Sequence, residues 1–293
     1  MTEATGLPPP PPEGASALPP GTFEGQVVAV TGGGTGLGKA IAMEFARLGA
    51  SVAILSRDEA NREAGVQAVV GAGGTGFGAE CDVRDPAAVA AAFDAIEAAL
   101  GLPDVLVNNA AGNFPIPAED LSPNGWRSVV GIVLDGTFHC SRELGRRHLV
   151  AGTPASIVNI GAAYAWTGGP GFVHSAAAKA AVKNLTETLA VEWAPYGIRV
   201  NNLVPGLVPH QDEAEQIRAV PGRGPGEDAN VPALRVGFPR ELGWAATFLA
   251  SPYAAYVTGA TLVVDGANWQ RRHLLQPEFH PIRDQLGREP FSG

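Results

Sequence analysis

The residues Thr31-Gly32-Gly33-Gly34-Thr35-Gly36-Leu37-Gly38 have the types and spacing to hold a phosphate. Glycine lets the backbone approach an anion closely, because no side chain intervenes. The apolar run Val27-Val28-Ala29-Val30 precedes this turn, and Lys39-Ala40-Ile41-Ala42-Met43-Glu44-Phe45 follows it with helical character. The free N–H groups and positive end of such a helix favour negative charge. Gly32, Gly36 and Gly38 follow G-x-x-x-G-x-G rather than the G-x-G-x-x-G of many dinucleotide sites. Any tight bend also uses glycine, so the place between strand and helix carries the inference.

Three further strand ends could complete a dinucleotide site. An apolar run over 50–55 ends in Ser56-Arg57-Asp58. An acid at the end of this strand commonly binds the ribose hydroxyls of NAD. Here Ser56 and Arg57 stand there. A cation suits a 2′-phosphate, and no carboxylate at Ser56 repels one, so NADPH is expected over NADH. The plainer reading is a solvated Arg57 with Asp58 as partner. A short strand over 76–81 ends at Asp82, a position that can accept from an adenine amino group. A strand over 104–107 ends in Asn108-Asn109-Ala110-Ala111-Gly112-Asn113-Phe114. Small residues there keep a crevice open for a nicotinamide ribose. Asn113 carries both a donor and an acceptor, so it can serve substrate or turn.

The elements that must position these residues alternate between strand and helix. Asp85 reads as an N-cap and Pro86 as the first position of an Ala-rich helix over 87–100. A long helix begins at 121–123 and runs through Phe138, and a strand over 156–160 follows. Residues 161–172 form a loop carrying Tyr164, and the next helix spans 174–196 with Lys179 on it. A strand over 199–204 closes in Pro205-Gly206-Leu207-Val208, and a helix over 239–250 precedes a last strand over 261–264. This alternation predicts an α/β fold, a Rossmann-type doubly wound parallel sheet with helices on both faces, in a single domain. The expected layout is a disordered proline-rich tail over 1–22, a catalytic domain over 23–268 and a polar, basic tail without elements over 269–293. Residues 209–238 are rich in Pro, Gly and charge, and a lid insertion is expected over about 207–238.

Composition excludes several functions. The net charge of −9 over 293 residues argues against nucleic acid as a partner. Cys81 and Cys140 are the only cysteines, which makes neither a disulfide framework nor a zinc site, and the six histidines show no metal-ligand spacing. No apolar run reaches the roughly 20 residues of a membrane span. The first 20 residues hold no apolar signal core and no arginine. A cytoplasmic location follows as the expectation.

Taken together, Thr31–Gly38, Asn108–Gly112, Lys179 and Asn202–Gly206 resemble the short-chain dehydrogenase/reductase family over about residues 25–266. The usual members carry a tyrosine four residues before the lysine and a serine 13 residues before that tyrosine, positions held here by Ser175 and Ala162. Asp135 stands where many members have asparagine and is left outside the site. A serine hydroxyl is a far weaker acid than a tyrosine beside a lysine ammonium, so ordinary ketone reduction is disfavoured. Within the family the chain is similar to the 2,4-dienoyl-CoA reductases. Asn108–Phe114, Cys81–Pro86, Tyr164 eleven residues before Ser175, and Ser175 four before Lys179 carry that likeness.

The resemblance implies an acyl-CoA thioester substrate, NADPH as cofactor and a homo-oligomer, a tetramer being favoured. It implies that Asn113 and Tyr164 hold the thioester carbonyl, that Lys179 holds the nicotinamide ribose and that Ser175 supports them. Thr31 through Gly38, Ser56, Arg57, Asp82, Val83, Asn109, Ala110, Ala111, Pro205, Gly206, Leu207 and Val208 are the residues expected at the cofactor. Arg218, Arg223, Arg271 and Arg272 could reach the CoA phosphates. In the implied reaction, hydride reaches the δ carbon of a 2,4-dienoyl-CoA. Electrons flow to the thioester oxygen, and a water protonates carbon to leave a 3-enoyl-CoA. Two other readings stay open. One is a 3-oxoacyl or other carbonyl reductase with Tyr164 as acid. The other is an NADP-binding protein without turnover.

Overall fold

The computed structural model describes residues 5–212, 231–270 and 281–288. Seven parallel strands form one sheet: β1 (Val27–Thr31), β2 (Ser51–Ser56), β3 (Thr75–Glu80), β4 (Val105–Asn108), β5 (Ala155–Ile160), β6 (Ile198–Pro205) and β7 (Thr261–Val264). Their spatial order is β3-β2-β1-β4-β5-β6-β7. The order reverses beside β1, whose neighbours are β2 and β4. In such sheets the crevice at the strands' carboxyl ends, where the order reverses, is the ligand site.

All five residues of β1 are buried, as expected for a strand covered on both faces. Alternate side chains enter two cores. Val28, Val30, Val52 and Ile54 pack with Ile41 and Phe45 of α1 (Gly36–Arg47), Val69 of α2 (Glu59–Gly71) and Leu249 of α8 (Pro239–Ala250). Val27, Ala29, Ala53 and Leu55 pack with Phe93 of α3 (Pro86–Leu100), Leu144 of α5 (Gly136–Ala151) and Leu189 of α7 (Val173–Trp193). The period of two along each strand thus builds the layers above and below the sheet. Asp85 caps α3 by accepting from the Ala87 N–H at 2.9 Å. Among the described residues no helix is long and apolar enough to cross a membrane.

Several segments differ from the sequence expectation. The long helix predicted from 121 is α4 (Pro123–Val130), then a π-helical turn (Gly131–Asp135), then α5. Such turns widen the helix locally and recur near functional sites. The 161–172 loop contains a one-turn helix, α6 (Tyr164–Thr167), stopped by Gly168 at φ +71°. The tail after 269, read as lacking elements, contains α9 (Ile282–Gln285).

Residues 5–22 hold no helix or strand, but they are not a free tail. Arg240 donates to the Pro11 carbonyl at 2.9 Å, and the Trp244 indole to the Ala15 carbonyl at 2.8 Å. Proline lacks an N–H but keeps its carbonyl, which an extended chain presents as an acceptor. Most of the expected lid, 213–230, lies outside the described residues, as do Arg218, Arg223, Arg271 and Arg272.

Candidate active site

The cradle is built where β1 and β4 end. The Thr31 hydroxyl accepts from the Asn109 and Ala110 N–H groups, both at 3.0 Å. The Asn109 amide returns bonds to the carbonyls of Thr31 and Gly32, both at 3.1 Å. Gly38 fits under this knot only because it has no side chain. A Cβ there would lie 2.3 Å from Asn109 Nδ2 and 2.4 Å from the Gly32 oxygen. Gly32 and Gly36 hold φ of +63° and +51°, where a side chain would be strained.

An anion already sits in this cradle. The Gly36 N–H, at the start of α1, donates to Asp212 Oδ2 at 2.8 Å, and Lys39 Nζ lies 3.0 Å from the same oxygen. The Gly36 hydrogen bond leads the causes that hold the Asp212 carboxyl below its ordinary range, ahead of the opposing burial and the Lys39 contact. The chain's own carboxylate thereby demonstrates that the helix terminus accepts negative charge. The close-packed glycines and this stand-in fit the diphosphate of a nicotinamide dinucleotide.

A cavity of about 780 Å³ runs from the cradle along the strand ends. Gly32, Gly34, Thr35, Gly36, Leu37, Ser56, Arg57, Asp82, Val83, Asn109, Ala110, Ala111, Tyr164, Lys179, Pro205 and Gly206 line it. Thr31, Gly33 and Gly38 stand behind that lining, supporting the turn. Leu207 faces a second cavity, and Val208 is buried.

At the far end, Asp82 lies between two cations. Arg84 grips it with bonds of 2.9, 3.1 and 2.5 Å, and Arg57 Nη1 lies 3.7 Å away. The Arg84 hydrogen bonds, against some burial, bring the Asp82 carboxyl down to about 2. Asp58, the partner considered for Arg57, instead caps α2 through the Asn61 N–H at 2.8 Å. Arg84 was not foreseen as part of the site, although it follows Asp82 by two residues. Asn61 and His210, which also line the cavity, had no sequence signal.

The chemical end is organised by α6 and α7. The Tyr164 hydroxyl lies 2.9 Å from Ser175 Oγ, and Ser175 is buried in the first turn of α7. One turn further, Lys179 is buried and donates to the Ile160 carbonyl at the end of β5. Burial brings its ammonium down to about 8. Beneath them, the Asn108 amide donates to Ser141 Oγ at 2.9 Å and Asn159 Oδ1 at 2.8 Å, and Asn159 donates to Thr186 Oγ1 at 2.9 Å. This buried chain ties β4, β5, α5 and α7 into one rigid floor.

Tyr164, Ser175 and Lys179 come together; Asn113 does not line the same cavity. Its Oδ1 accepts from the Phe114 N–H at 3.0 Å, which leaves the amide Nδ2 as the donor. Phe114 packs edge-on against buried His174 at 4.7 Å, next to Ser175 in the chain. Asp135 is exposed on the π-helical turn. A second cavity, of about 650 Å³, lies against Ala162, Tyr164, Pro205, Leu207, Asp265 and Trp269. Tyr164 borders both cavities, so its hydroxyl can meet a substrate entering from the second while a dinucleotide fills the first.

Comparison with known proteins places this geometry. A family model described as enoyl-(acyl carrier protein) reductase matches residues 32–267. The chain is 40% identical over 248 residues to a probable 2,4-dienoyl-CoA reductase, (2E)-enoyl-CoA-producing, of Bacillus subtilis, covering 84% of this chain and 98% of that protein. It is 39% identical over 251 residues to a peroxisomal 2,4-dienoyl-CoA reductase, (3E)-enoyl-CoA-producing, of Rattus norvegicus, covering 85% and 86%. A crystal structure of a short chain dehydrogenase from Bacillus anthracis matches with a TM-score of 0.76 at 40% identity, covering 87% of this chain and 100% of that one.

Proposed function

The chain belongs to the short-chain dehydrogenase/reductase family of oxidoreductases, and from that premise we propose that it reduces 2,4-dienoyl-CoA thioesters with NADPH. The observation that carries this reading is the Tyr164 hydroxyl seated on Ser175, one turn before buried Lys179. A serine holds the place of the usual tyrosine, so the site is built to hold an oxyanion rather than to protonate an alkoxide.

Bound NADPH supplies the hydride, which forms the new C–H bond at the δ carbon of the dienoyl thioester. The displaced π electrons move through the conjugated chain to the thioester oxygen. Tyr164 O–H and Asn113 N–H donate to that oxygen. A preorganised donor of this kind contributes roughly 3 kcal/mol to the transition state. Ser175 fixes the Tyr164 hydroxyl. Lys179 holds the nicotinamide ribose and places a positive charge beside the developing negative one. A water then protonates carbon. Delivery to C2 leaves a 3-enoyl-CoA, and delivery to C4 leaves a 2-enoyl-CoA. We assign C2. The reaction run in D2O tests this: deuterium at C2 is expected, and deuterium at C4 would replace the assignment. The Tyr164–Ser175 bond also serves a second reading, a carbonyl reductase, since a hydroxyl pair can pass a proton; the serine in place of the usual tyrosine is what favours the oxyanion.

NADPH rather than NADH is supported by Ser56 and Arg57 at the end of β2. Arg57→Ala is expected to weaken NADPH about tenfold and NADH hardly at all, since only NADPH carries the 2′-phosphate that Arg57 would pair, and the exposure of Arg57 keeps that loss modest. Equal losses, read by titration of each nucleotide, would remove the 2′-phosphate assignment. Asp212 competes with the diphosphate for the Gly36 N–H. Asp212→Asn keeps the side chain's shape and removes its charge. NADPH should bind about fivefold tighter, since an anion at a helix start is worth about 1 kcal/mol. Unchanged affinity would show that Asp212 does not compete.

Exposed apolar side chains on α5 and α7, Phe138, Leu149, Val150 and Val191, support a homo-oligomer, with a tetramer favoured. Buried free thiols at Cys81 and Cys140 support a reducing, cytoplasmic setting.

A further inference from the structure

We propose that residues 265–270 and 281–288, which follow β7, clamp the two loops that carry the oxyanion donors, with Arg283 as the positioning residue; this rests on the assignment of Asn113 and Tyr164 as those donors. The donors sit on separate loops of little regular structure, 113–121 and 161–172. An oxyanion hole works only if both donors are held before the charge develops.

Residues 265–270 and 281–288 touch both loops. Asp265 accepts from the Ala267 N–H at 2.9 Å and the Trp269 N–H at 2.7 Å, which fixes the turn after β7. Ala267 holds φ of +67°, a strained value for a residue with a side chain, so this turn is over-determined. It presents the Trp269 ring to Trp166 at 5.4 Å and 25°, and Trp166 belongs to the same one-turn helix as Tyr164. Farther on, Ile282 at the start of α9 and Leu286, the residue that caps its end, cover Gly171. A Cβ on Gly171 would meet their Cδ1 atoms at 3.3 and 3.7 Å. The Gly171 carbonyl in turn accepts from the Ile116 N–H at 2.8 Å, joining the two loops directly.

Arg283 closes the clamp. Its Nη1 lies 2.9 Å from Glu119 Oε1 and 3.2 and 3.1 Å from the two Asp120 oxygens. Glu119 and Asp120 form the 3-10 turn that ends the Asn113 loop. One short helix thus holds the Tyr164 loop with its apolar side chains and the Asn113 loop with its guanidinium. Displacement of a reacting group by about 1 Å can cost on the order of 100-fold in rate, so a modest loosening suffices to slow catalysis.

The test compares full-length wild type, Arg283→Ala and Arg283→Lys. It measures kcat with 2,4-hexadienoyl-CoA, the Kd for NADPH, and amide hydrogen exchange over 113–121 and 161–172. Arg283→Ala is expected to lower kcat roughly tenfold and to speed exchange in both loops, including the Ile116 amide. NADPH affinity should stay unchanged, and Arg283→Lys should restore part of kcat. Unchanged exchange in both loops would overturn the clamp. So would a parallel fall in NADPH affinity and Tm, which marks general loss of structure. Faster exchange in the variant beside a wild type inert toward every dienoyl-CoA would leave the clamp standing and refute the substrate reading.

Discussion

Tyr164→Phe is expected to lower turnover of a dienoyl-CoA on the order of 100-fold, the value of one oxyanion donor. NADPH binding should be retained, because Tyr164 meets the dinucleotide cavity at its edge, away from the Gly36 cradle and the Arg57 end. The fold should be retained too. The Tyr164 ring stacks parallel on Phe172 at 6.4 Å, and phenylalanine keeps that ring. The change does take the partner from buried Ser175 Oγ. That costs about 1 kcal/mol, or roughly 2 °C in Tm for a chain of this size. A large kinetic effect beside a small thermal one separates a donor to the reaction from a packing residue. Turnover equal to wild type, measured as NADPH oxidation, would remove Tyr164 from the mechanism.

Lys179 carries the second large effect, and it has a pH signature. Burial lowers its ammonium to about 8. Below that pH the side chain is charged, and above it the charge is lost. The kcat/KM of the free enzyme should therefore fall as pH rises through about 8. Stability runs the other way. The folded-state value lies below the unfolded one, so between the two the unfolded chain binds more protons and folding gains as pH rises. Activity and stability are thus expected to oppose each other across this window. Lys179→Met removes the charge at every pH. Each charge-assisted bond is worth about 1.5–3 kcal/mol, so losing those to the ribose should cut kcat/KM on the order of 100-fold or more. The decline near pH 8 should vanish with it. A profile unchanged in the variant would assign that titration to another group.

Much of this site was legible because its parts are local. The glycine turn, the Ser56-Arg57 strand end and Lys179 one turn after Ser175 each occupy a few consecutive residues, and the parallel sheet brings their ends to one edge. The strand ends differ from expectation by a residue, as at β3, because pairing rather than composition sets the last bond.

What was not legible depends on partners distant in the chain. Arg84 and Arg57 share Asp82 across two strand ends, and no local spacing encodes that triangle. Asp212 reaches Gly36 from 176 residues away. The Pro-rich start reads as free chain because its prolines offer acceptors only, and its donors, Arg240 and Trp244, lie on α8. The Arg283 contacts are hidden for the same reason. The carboxylates that hold it, Glu119 and Asp120, precede it by more than half the chain. Asn113 illustrates the converse. Its residue type left substrate and turn both open, and the structure spends its oxygen on the Phe114 turn while leaving the amide.

The most direct measurement is NADPH oxidation by the purified protein with 2,4-hexadienoyl-CoA, run beside acetoacetyl-CoA and with NADH as control. Turnover of the dienoyl thioester with NADPH, and none of the ketone, is the expected result. It would fit an oxyanion hole at Asn113 and Tyr164 with serine in place of the usual acid. Turnover of the ketone alone would contradict it, and would identify the Tyr164–Ser175 pair as a proton donor to an alkoxide.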